Sequence, residues 1–105
     1  MRVELLYTDG DPAAMSARQN LVEVLTEDAF ETPIQMIAVA TEADAELLGM
    51  RGSPMIRIEG VDIETSWDGP IGLGSRDYGD GPVPDKAIIR VAVERARGWS
   101  HGRAR

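Results

Sequence analysis

Alternating apolar positions open the chain and predict a β-strand over Arg2–Thr8. Its second face is only partly polar, which is typical of a central strand that is covered on both sides. A helix is predicted to follow, with Asp11 as its N-cap and Pro12 as its first helical residue. The residues of this helix that share one apolar face are Ala14, Ala17, Leu21, Val24 and Leu25.

The next stretch predicts a strand and a short helix. Ile34–Val39 is almost continuously apolar, so we expect a buried strand there. Thr41 and Asp44 resemble a capping box in which aspartate replaces the usual glutamate. This pattern predicts a helix over Glu42–Leu48, and Gly49 is well placed to end it.

The second half predicts two strands, a long loop and a helix. Met55–Glu59 and Val61–Glu64 are the strands, and Gly60 turns the chain between them. Residues 65–82 lack periodicity and are predicted to form a loop. A last helix is predicted over about Asp85–Arg97 and is expected to end at Gly98. Its inward residues are predicted to be Ile88, Ile89, Ala92, Val93 and Ala96.

The predicted element order is βαβαββα, which indicates an α/β fold. The strand–helix–strand unit makes a right-handed parallel crossover, and the last two strands form an antiparallel hairpin. The sheet is therefore expected to be mixed. We expect one domain over residues 1–97, followed by a basic, flexible tail over residues 98–105.

Length and hydropathy fit a small globular domain of 105 residues. No apolar run approaches the roughly 20 residues that span a bilayer. The N-terminal residues enter a strand directly and show no signal-peptide pattern. We therefore expect no membrane association and a cytoplasmic location.

The chain has no cysteine and a single histidine, His101. Disulfides, thiolate catalysis and cysteine-ligated metal sites are thereby excluded for this chain, and a Ser-His-Asp triad is not expected. Asp9 and Asp11, with Asp77 or Asp80, could offer oxygen ligands to a hard cation. No spacing matches an EF-hand, so solvated acidic turns are the preferred interpretation, and no metal or cofactor is expected.

Charge is divided unevenly along the chain. Residues 1–85 carry a net charge of −12 and residues 86–105 carry +5, which gives −7 in total. The acidic body argues against a nucleic-acid-binding surface, so no nucleic-acid partner is expected. The arginines near the C-terminus are interpreted as complementing a helix end, with an acidic partner or nucleic acid as the alternative. They are Arg95, Arg97, Arg103 and Arg105.

Three short motifs carry a resemblance to a known fold. The chain reads DGDP at 9–12, LGMRGSP at 48–54 and GLGSRDY at 72–78. In the same order, small bacterial and archaeal thioredoxin-like proteins, some labelled alkylmercury-lyase-related, read Glu-Gly-Cys-Pro, Leu-Gly-x-x-Gly-Ser-Pro and Gly-Leu-Ser-Cys-Arg-x-Tyr. The chain therefore resembles the thioredoxin-like superfamily over about residues 1–97. The resemblance implies a βαβαββα fold whose four-stranded mixed sheet has the order 2-1-3-4, with helices on both faces.

The chain departs from that pattern at the reactive positions. Asp11 and Ser75 stand where the family motifs have cysteine, and Ala14 stands at the resolving position of a Cys-x-x-Cys motif. A helix N-terminus offers unpaired N–H groups and about half a positive charge, which stabilises an anion. Asp11 would keep the anion without being a comparable nucleophile. It is interpreted as a helix cap, with contact to a ligand or partner as the alternative.

The resemblance also implies a cleft. A cis peptide bond is expected at Pro54, and in thioredoxin-like proteins the backbone before that proline accepts extended peptides. The rival interpretation of Pro54 is a rigid turn. Ser75 is a candidate to hydrogen-bond Asp11, and Arg76 to pair with Asp11 or Asp9, unless their loop is exposed and mobile. The residues expected to line the cleft are Asp11, Pro12, Ser53, Pro54, Ser75, Arg76 and Tyr78.

Three functions remain open from the sequence. The first is a redox-inactive module that binds a peptide or protein through the Asp11 turn and the Pro54 cleft. The second is a thiol-independent hydrolase or lyase that uses Asp11 with Ser75 or Tyr78. The third is a mainly structural subunit. Trp67, Trp99 and the sheet edges also make a homodimer a candidate assembly.

Overall fold

The computed structural model describes residues 1–27 and 32–103, with side chains described through residue 98. Over these residues the chain is an α/β protein with three helices and two sheets. The strands are β1 (Val3–Thr8), β2 (Ile34–Val39), β3 (Arg51–Ser53), β4 (Met55–Ile58), β5 (Val61–Asp62) and β6 (Gly72–Ser75). The helices are α1 (Pro12–Glu27), α2 (Glu42–Leu48) and α3 (Lys86–Arg103). No helix in the described part of the chain is long and apolar enough to cross a membrane.

The larger sheet is mixed and has the order β2-β1-β4-β5. β1 is parallel to β2 and antiparallel to β4, and β4 forms an antiparallel hairpin with β5. The predicted order 2-1-3-4 differs from this numbering because β3 was not predicted and comes third along the chain. The predicted sequence of elements, βαβαββα, likewise lacks β3 and β6.

The sheet separates two apolar clusters. Leu5 and Leu6 are both fully buried, and they belong to different clusters because successive side chains of β1 point to opposite faces. Leu5 packs with residues of α1 and α3, whereas Leu6 packs with Ala45 of α2. The central position predicted for the first strand is therefore confirmed. The residues predicted to face the core from α1 are all buried.

β2 is less buried than its apolar sequence predicted. Only Val39 is buried, while Gln35 and Ala38 are exposed. The prediction of a buried strand was wrong because β2 lies at the edge of the sheet, where one side has no neighbouring strand among the described residues.

The capping predictions are confirmed for the first two helices. Ala13 N donates to Asp11 Oδ1 (3.0 Å) at the start of α1. Asp44 N donates to Thr41 Oγ1 (3.1 Å) at the start of α2. Gly49 ends α2 in the left-handed conformation, with φ of 68°.

α3 is longer than predicted. It runs to Arg103, so the predicted end at Gly98 was wrong. An interior glycine costs a helix only about 1 kcal/mol relative to alanine, which a helix that packs against a core tolerates. The division into a domain over residues 1–97 and a tail over residues 98–105 stays a prediction, and residues 104–105 lie outside the described residues.

Candidate functional site

The Asp11 turn joins the carboxyl end of β1 to the amino end of α1. Asp11 N donates to the carbonyl of Thr8 (3.0 Å), which closes the turn. The side chain turns back as the helix cap and accepts a hydrogen bond from Ala13 N through Oδ1. Asp11 remains partly exposed, whereas Asp9 and Gly10 are exposed. The turn therefore presents a carboxylate near the surface at the amino end of α1, where the helix dipole favours an anion.

Ser53 holds the second carboxylate oxygen. Its hydroxyl donates to Asp11 Oδ2 (2.6 Å) and accepts from Thr8 N (2.9 Å). Ser53 is fully buried, so its hydroxyl positions Asp11 and is not placed to attack a substrate. The Ser53–Pro54 bond is cis, as the resemblance implied. The structure thus brings together the first two sequence motifs.

Ser75 does not occupy the place expected for it. Among the described residues, the hydroxyl that bonds Asp11 belongs to Ser53. Ser75 is exposed at the end of β6, where it pairs in register with Ser53. It therefore lies beside the site without a hydrogen bond to the carboxylate.

Arg76 points into the protein, so the expected ion pair with Asp11 or Asp9 was wrong. Its side chain is 0% exposed, and Nη1 lies 2.7 Å from Asp62 Oδ2. Nη2 donates to the carbonyl of Glu64 (3.2 Å). The guanidinium also lies over the rings of Trp67 and Tyr78, at 5.8 Å and 5.1 Å from their centroids. Arg76 is therefore a buried structural cation.

Tyr78 is also turned inward. Its hydroxyl donates to the carbonyl of Pro54 (2.5 Å), and its ring belongs to the core between the sheet, α1 and α3. Burial raises the pKa of the Tyr78 hydroxyl well above its usual value, and the nearby Arg76 cation opposes that rise. No hydrogen bond links Tyr78 to Asp11 within the part of the chain that the structure describes. The predicted assistants of Asp11 therefore do not converge on it.

The late segment of the chain covers the residues before and after the cis bond. We call residues 67–78 the strap. Four of its groups donate hydrogen bonds to four of the carbonyls of residues 50–54: Gly72 N to Met50 O (3.0 Å), Trp67 Nε1 to Arg51 O (3.1 Å), Arg76 N to Ser53 O (3.0 Å) and Tyr78 OH to Pro54 O (2.5 Å). The predicted loop over residues 65–82 therefore holds except at Gly72–Ser75, which form β6. Little in the local pattern predicts this pairing, because β6 is half glycine and lacks alternation.

The covered Ser53 carbonyl limits how a peptide could bind. An added strand needs free backbone acceptors at a sheet edge, and this carbonyl already accepts from Arg76 N. The accessible part of the predicted cleft is therefore its Asp11 side. Pro12 is exposed there, and Met15 is 62% exposed one helical turn further along α1.

Other parts of the surface offer less chemistry. In residues 1–27 and 32–98, no group of three or more acidic or histidine side chains is placed to hold a metal ion. An open depression of about 690 Å³ lies at the opposite end of β1, between Arg2, Gln35 and Glu59. It lies at the end of β1 away from the Asp11 turn, so we define the candidate site by the hydrogen bonds around Asp11.

The fold and the site define a small α/β domain that presents a positioned carboxylate at a strand–helix junction. No protein-family model matches the chain, and no curated protein or solved structure matches it.

The Asp11 position is expected to stabilise other anions. In an Asp11→Cys variant, we expect the thiol pKa to fall at least one unit below the roughly 8.5 of a free cysteine, because Ala13 N–H and the Ser53 hydroxyl would both donate to the thiolate. A titration from alkaline to acidic pH, followed by the absorbance of the thiolate, measures this pKa. Ser16→Cys is the matched control on the exposed side of the same helix. Equal pKa values for the two thiols would contradict the anion-stabilising role.

Proposed function

We propose that the chain is a cysteine-less, thioredoxin-like domain that binds a peptide or protein through the surface around the Asp11 turn and has no redox activity of its own. The observation that carries the proposal is the hydrogen-bonded placement of Asp11 beside Ser53 and Pro54. A strand–turn–helix junction facing a Ser-Pro turn is what the resemblance implies for this superfamily. The mixed sheet with helices packed on both faces also supports it.

Binding suits the site better than catalysis. The carboxylate is fixed by two donors, and the candidate assistants point elsewhere: Tyr78 bonds the carbonyl of Pro54, and Arg76 pairs with Asp62. Ser53 is buried and cannot reach a substrate. A fixed, partly exposed anion is suited to recognition, because its position costs no rearrangement when a partner binds.

The site also indicates the chemistry of the partner. No ion pair among the described residues involves Asp11, and the neighbouring Asp9 is exposed. The body of the chain is strongly acidic. We therefore propose a partner segment that places a lysine or arginine at Asp11 and an apolar side chain on exposed Met15.

Photo-crosslinking from Met15 tests this proposal. A photoreactive side chain at Met15 is expected to capture a partner from cell extract, and Asp11→Ala in the same chain should reduce the yield at least tenfold. Raising the salt concentration should also reduce the yield, because the proposed contact is between opposite charges.

Val91 is the matched control position. It is an apolar residue on α3 with 58% exposure, similar to that of Met15. The same photoreactive side chain at Val91 should not capture the same partner. Identical products from the two positions, or a yield unaffected by Asp11→Ala, would contradict binding through the Asp11 turn.

A further inference from the structure

The two edge strands of the larger sheet, β2 and β5, are protected to different degrees against pairing with another chain. β5 is only two residues long, and its Asp62 forms an ion pair with the buried Arg76. A very short edge strand and a charge that is turned inward both keep an edge from accepting a further strand. β5 is therefore a protected edge.

β2 has neither of these protections. It is six residues long, contains no proline or charged residue, and pairs with β1 from Val3↔Ile34 to Thr8↔Val39 without a bulge. In a parallel pair, alternate residues turn their backbone N–H and C=O groups away from the neighbouring strand. Within residues 1–27 and 32–103, no strand pairs with β2 on its outer side. This edge therefore offers backbone donors and acceptors to an added strand.

The side chains of β2 also leave apolar area uncovered on both faces of the sheet. Ile34 and Met36 pack against the cluster that contains α1 and α3, and Ile37 packs against the cluster that contains α2. All three side chains remain partly exposed. A strand beside β2 would cover them on both faces while it pairs with the backbone, and only an extended segment can do both.

The charges around β2 select the kind of segment. Residues 32–41 are the longest stretch of the chain without a charged residue. No lysine or arginine lies between Arg18 and Arg51, whereas the acidic Glu42 and Asp44 are exposed just beyond the carboxyl end of β2. The complementary segment is therefore uncharged along the strand and basic at this end.

A second copy of the chain fits this edge less well. Two β2 strands that pair antiparallel about a two-fold axis bring the carboxyl end of each against the amino end of the other. Acidic residues flank β2 at both ends in the sequence, with Glu31 before it and Glu42 after it. Self-pairing would bring like charges together, which is destabilising. The charge pattern thus favours a different protein as the partner.

The open depression at the amino end of β2 indicates what the other end of the segment carries. Its volume is about 690 Å³, and Pro33 and Ile34 line it together with Val3. Arg2 and Glu59 add two charges of opposite sign to the lining. A large apolar side chain suits such a site. Antiparallel pairing is slightly more stable per residue than parallel pairing, so the basic residue is expected first in the segment and the apolar residue last.

We infer that the outer edge of β2 is a strand-addition site for an extended segment of a partner protein, paired antiparallel to β2. The segment begins with lysine or arginine beside Glu42 and Asp44, continues with uncharged residues that favour β-structure, and ends in a large apolar side chain at the depression. No described strand occupies this edge, so binding displaces none. The inference goes beyond the proposed function, which uses the Asp11 turn and not this edge.

The acetylated and amidated peptide Lys-Lys-Val-Thr-Val-Thr-Val-Phe is a suitable probe of the wild-type chain. We expect it to slow the exchange of an alternate set of amides in residues 34–39 by roughly tenfold or more, because these amides gain hydrogen-bond acceptors. The amides of Val61 and Asp62 in β5 are the internal control and should not change. Unchanged exchange in β2, or equal slowing at both edges, would overturn the inference.

Methylation of the peptide backbone distinguishes strand addition from other binding at the same surface. N-methyl groups on one alternate set of peptide amides should abolish the slowed exchange in β2, because those amides face the edge of the sheet. The same groups on the other set should be tolerated, because those amides face away from it. Equal effects of the two sets would contradict strand addition, since the side chains are the same in both peptides.

Charge variants test the basic end of the segment. Glu42→Gln combined with Asp44→Asn is expected to weaken peptide binding about fivefold at low salt, and a peptide with glutamate in place of both lysines should bind more weakly still. Asp80→Asn combined with Glu94→Gln is the matched control, because it removes the same charge from two other exposed positions. It should leave the affinity nearly unchanged. Equal weakening by the two double variants would contradict the orientation of the segment.

The wild-type chain without peptide tests the second copy as the occupant. We expect exchange in residues 34–39 to be independent of protein concentration and sedimentation to show no association through this edge. If the β2 amides became protected as the protein concentration rises, the edge would belong to a homodimer and the inference of a basic partner segment would be overturned.

Discussion

Replacing Asp62 by alanine is expected to lower the free energy of unfolding by about 3 kcal/mol, although Asp62 lies outside both apolar clusters. The change leaves the guanidinium of Arg76 buried without its carboxylate partner, 2.7 Å away in the native chain. It also removes the acceptor of Glu64 N, which Asp62 Oδ1 bonds at 3.0 Å. The cost falls at the lower end of the range for broken buried ion pairs, because Arg76 keeps its hydrogen bond to the Glu64 carbonyl. Urea unfolding at neutral pH measures it.

Two further variants separate the buried charge from other causes. Glu27→Ala breaks an exposed ion pair with Arg90 and should leave the urea midpoint almost unchanged. Asp62→Leu combined with Arg76→Met removes both charges and should recover much of the lost stability, since apolar replacements of a buried pair are often neutral. A cost for Asp62→Ala no larger than that for Glu27→Ala would contradict the buried structural role of Arg76.

That role changes how the third sequence motif is understood. In GLGSRDY, Arg76 and Tyr78 were candidates for the binding cleft because of where the motif stands in similar proteins. In the structure, both side chains hold the strap against residues 50–54 and the elements behind them. Of the three candidate cleft residues in this motif, Ser75 is the one that is exposed in the structure. The motif therefore has a structural role, and the Asp11 carboxylate is the partly exposed functional group of the site.

Local patterns predicted the first half of the chain closely. The bounds of β2 and α2 agree with prediction, and β1 differs by one residue. These elements have strong local signals: alternation or apolar runs for the strands, and the Asp11 and Thr41 caps for the helices. Such signals need only neighbouring residues, so the sequence is sufficient to find them.

The missed elements depend on contacts between distant residues. β3 and β6 are short and contain glycine, so neither has a periodic pattern, and they pair across about 20 residues of chain. β2 has the composition of a buried strand but an edge position, which only the topology decides. Gly98 is a helix-ending signal that α3 overrides by continuing to Arg103.

The candidate site was predicted in part. The sequence motifs placed Asp11 near the Ser53–Pro54 turn, and the structure joins them through the Ser53 hydroxyl. The role of the Ser53 hydroxyl was not predicted, because the resemblance concerns only the backbone of the residue before the proline. Asp62 was also missed as the partner of Arg76, since an ion pair between a short hairpin strand and a late loop has no spacing signature. The predicted homodimer stays a prediction, and the side chain of Trp99 lies outside the described residues.

Gly52→Ala is expected to destabilise the chain by about 3 kcal/mol, through one added methyl group. Gly52 has φ of 88°, a region that costs other residues roughly 1–2 kcal/mol. A Cβ there would also lie 2.6 Å from Arg76 Cγ and 3.1 Å from the Gly74 carbonyl. Arg76 is buried and held by Asp62, so the methyl group would force the strap away, with a further cost typical of overpacking. Urea unfolding measures the loss of stability, and the exchange rate of the Gly72 amide measures how far the strap is displaced.

The matched control is Gly49→Ala, which separates backbone strain from the contact with Arg76. Gly49 also has a positive φ, of 68°, but an added Cβ would meet no atom within 4 Å. It should therefore cost only the roughly 1–2 kcal/mol of strain. In an Arg76→Ala background the contact with Arg76 disappears and the 3.1 Å contact with the Gly74 carbonyl remains, so Gly52→Ala should there cost less than in the wild-type background and closer to the cost of Gly49→Ala. If the two glycine substitutions cost the same in the wild-type background, Arg76 does not press on Gly52. The strap would then be less tightly seated over residues 50–54 than the hydrogen bonds to their carbonyls indicate.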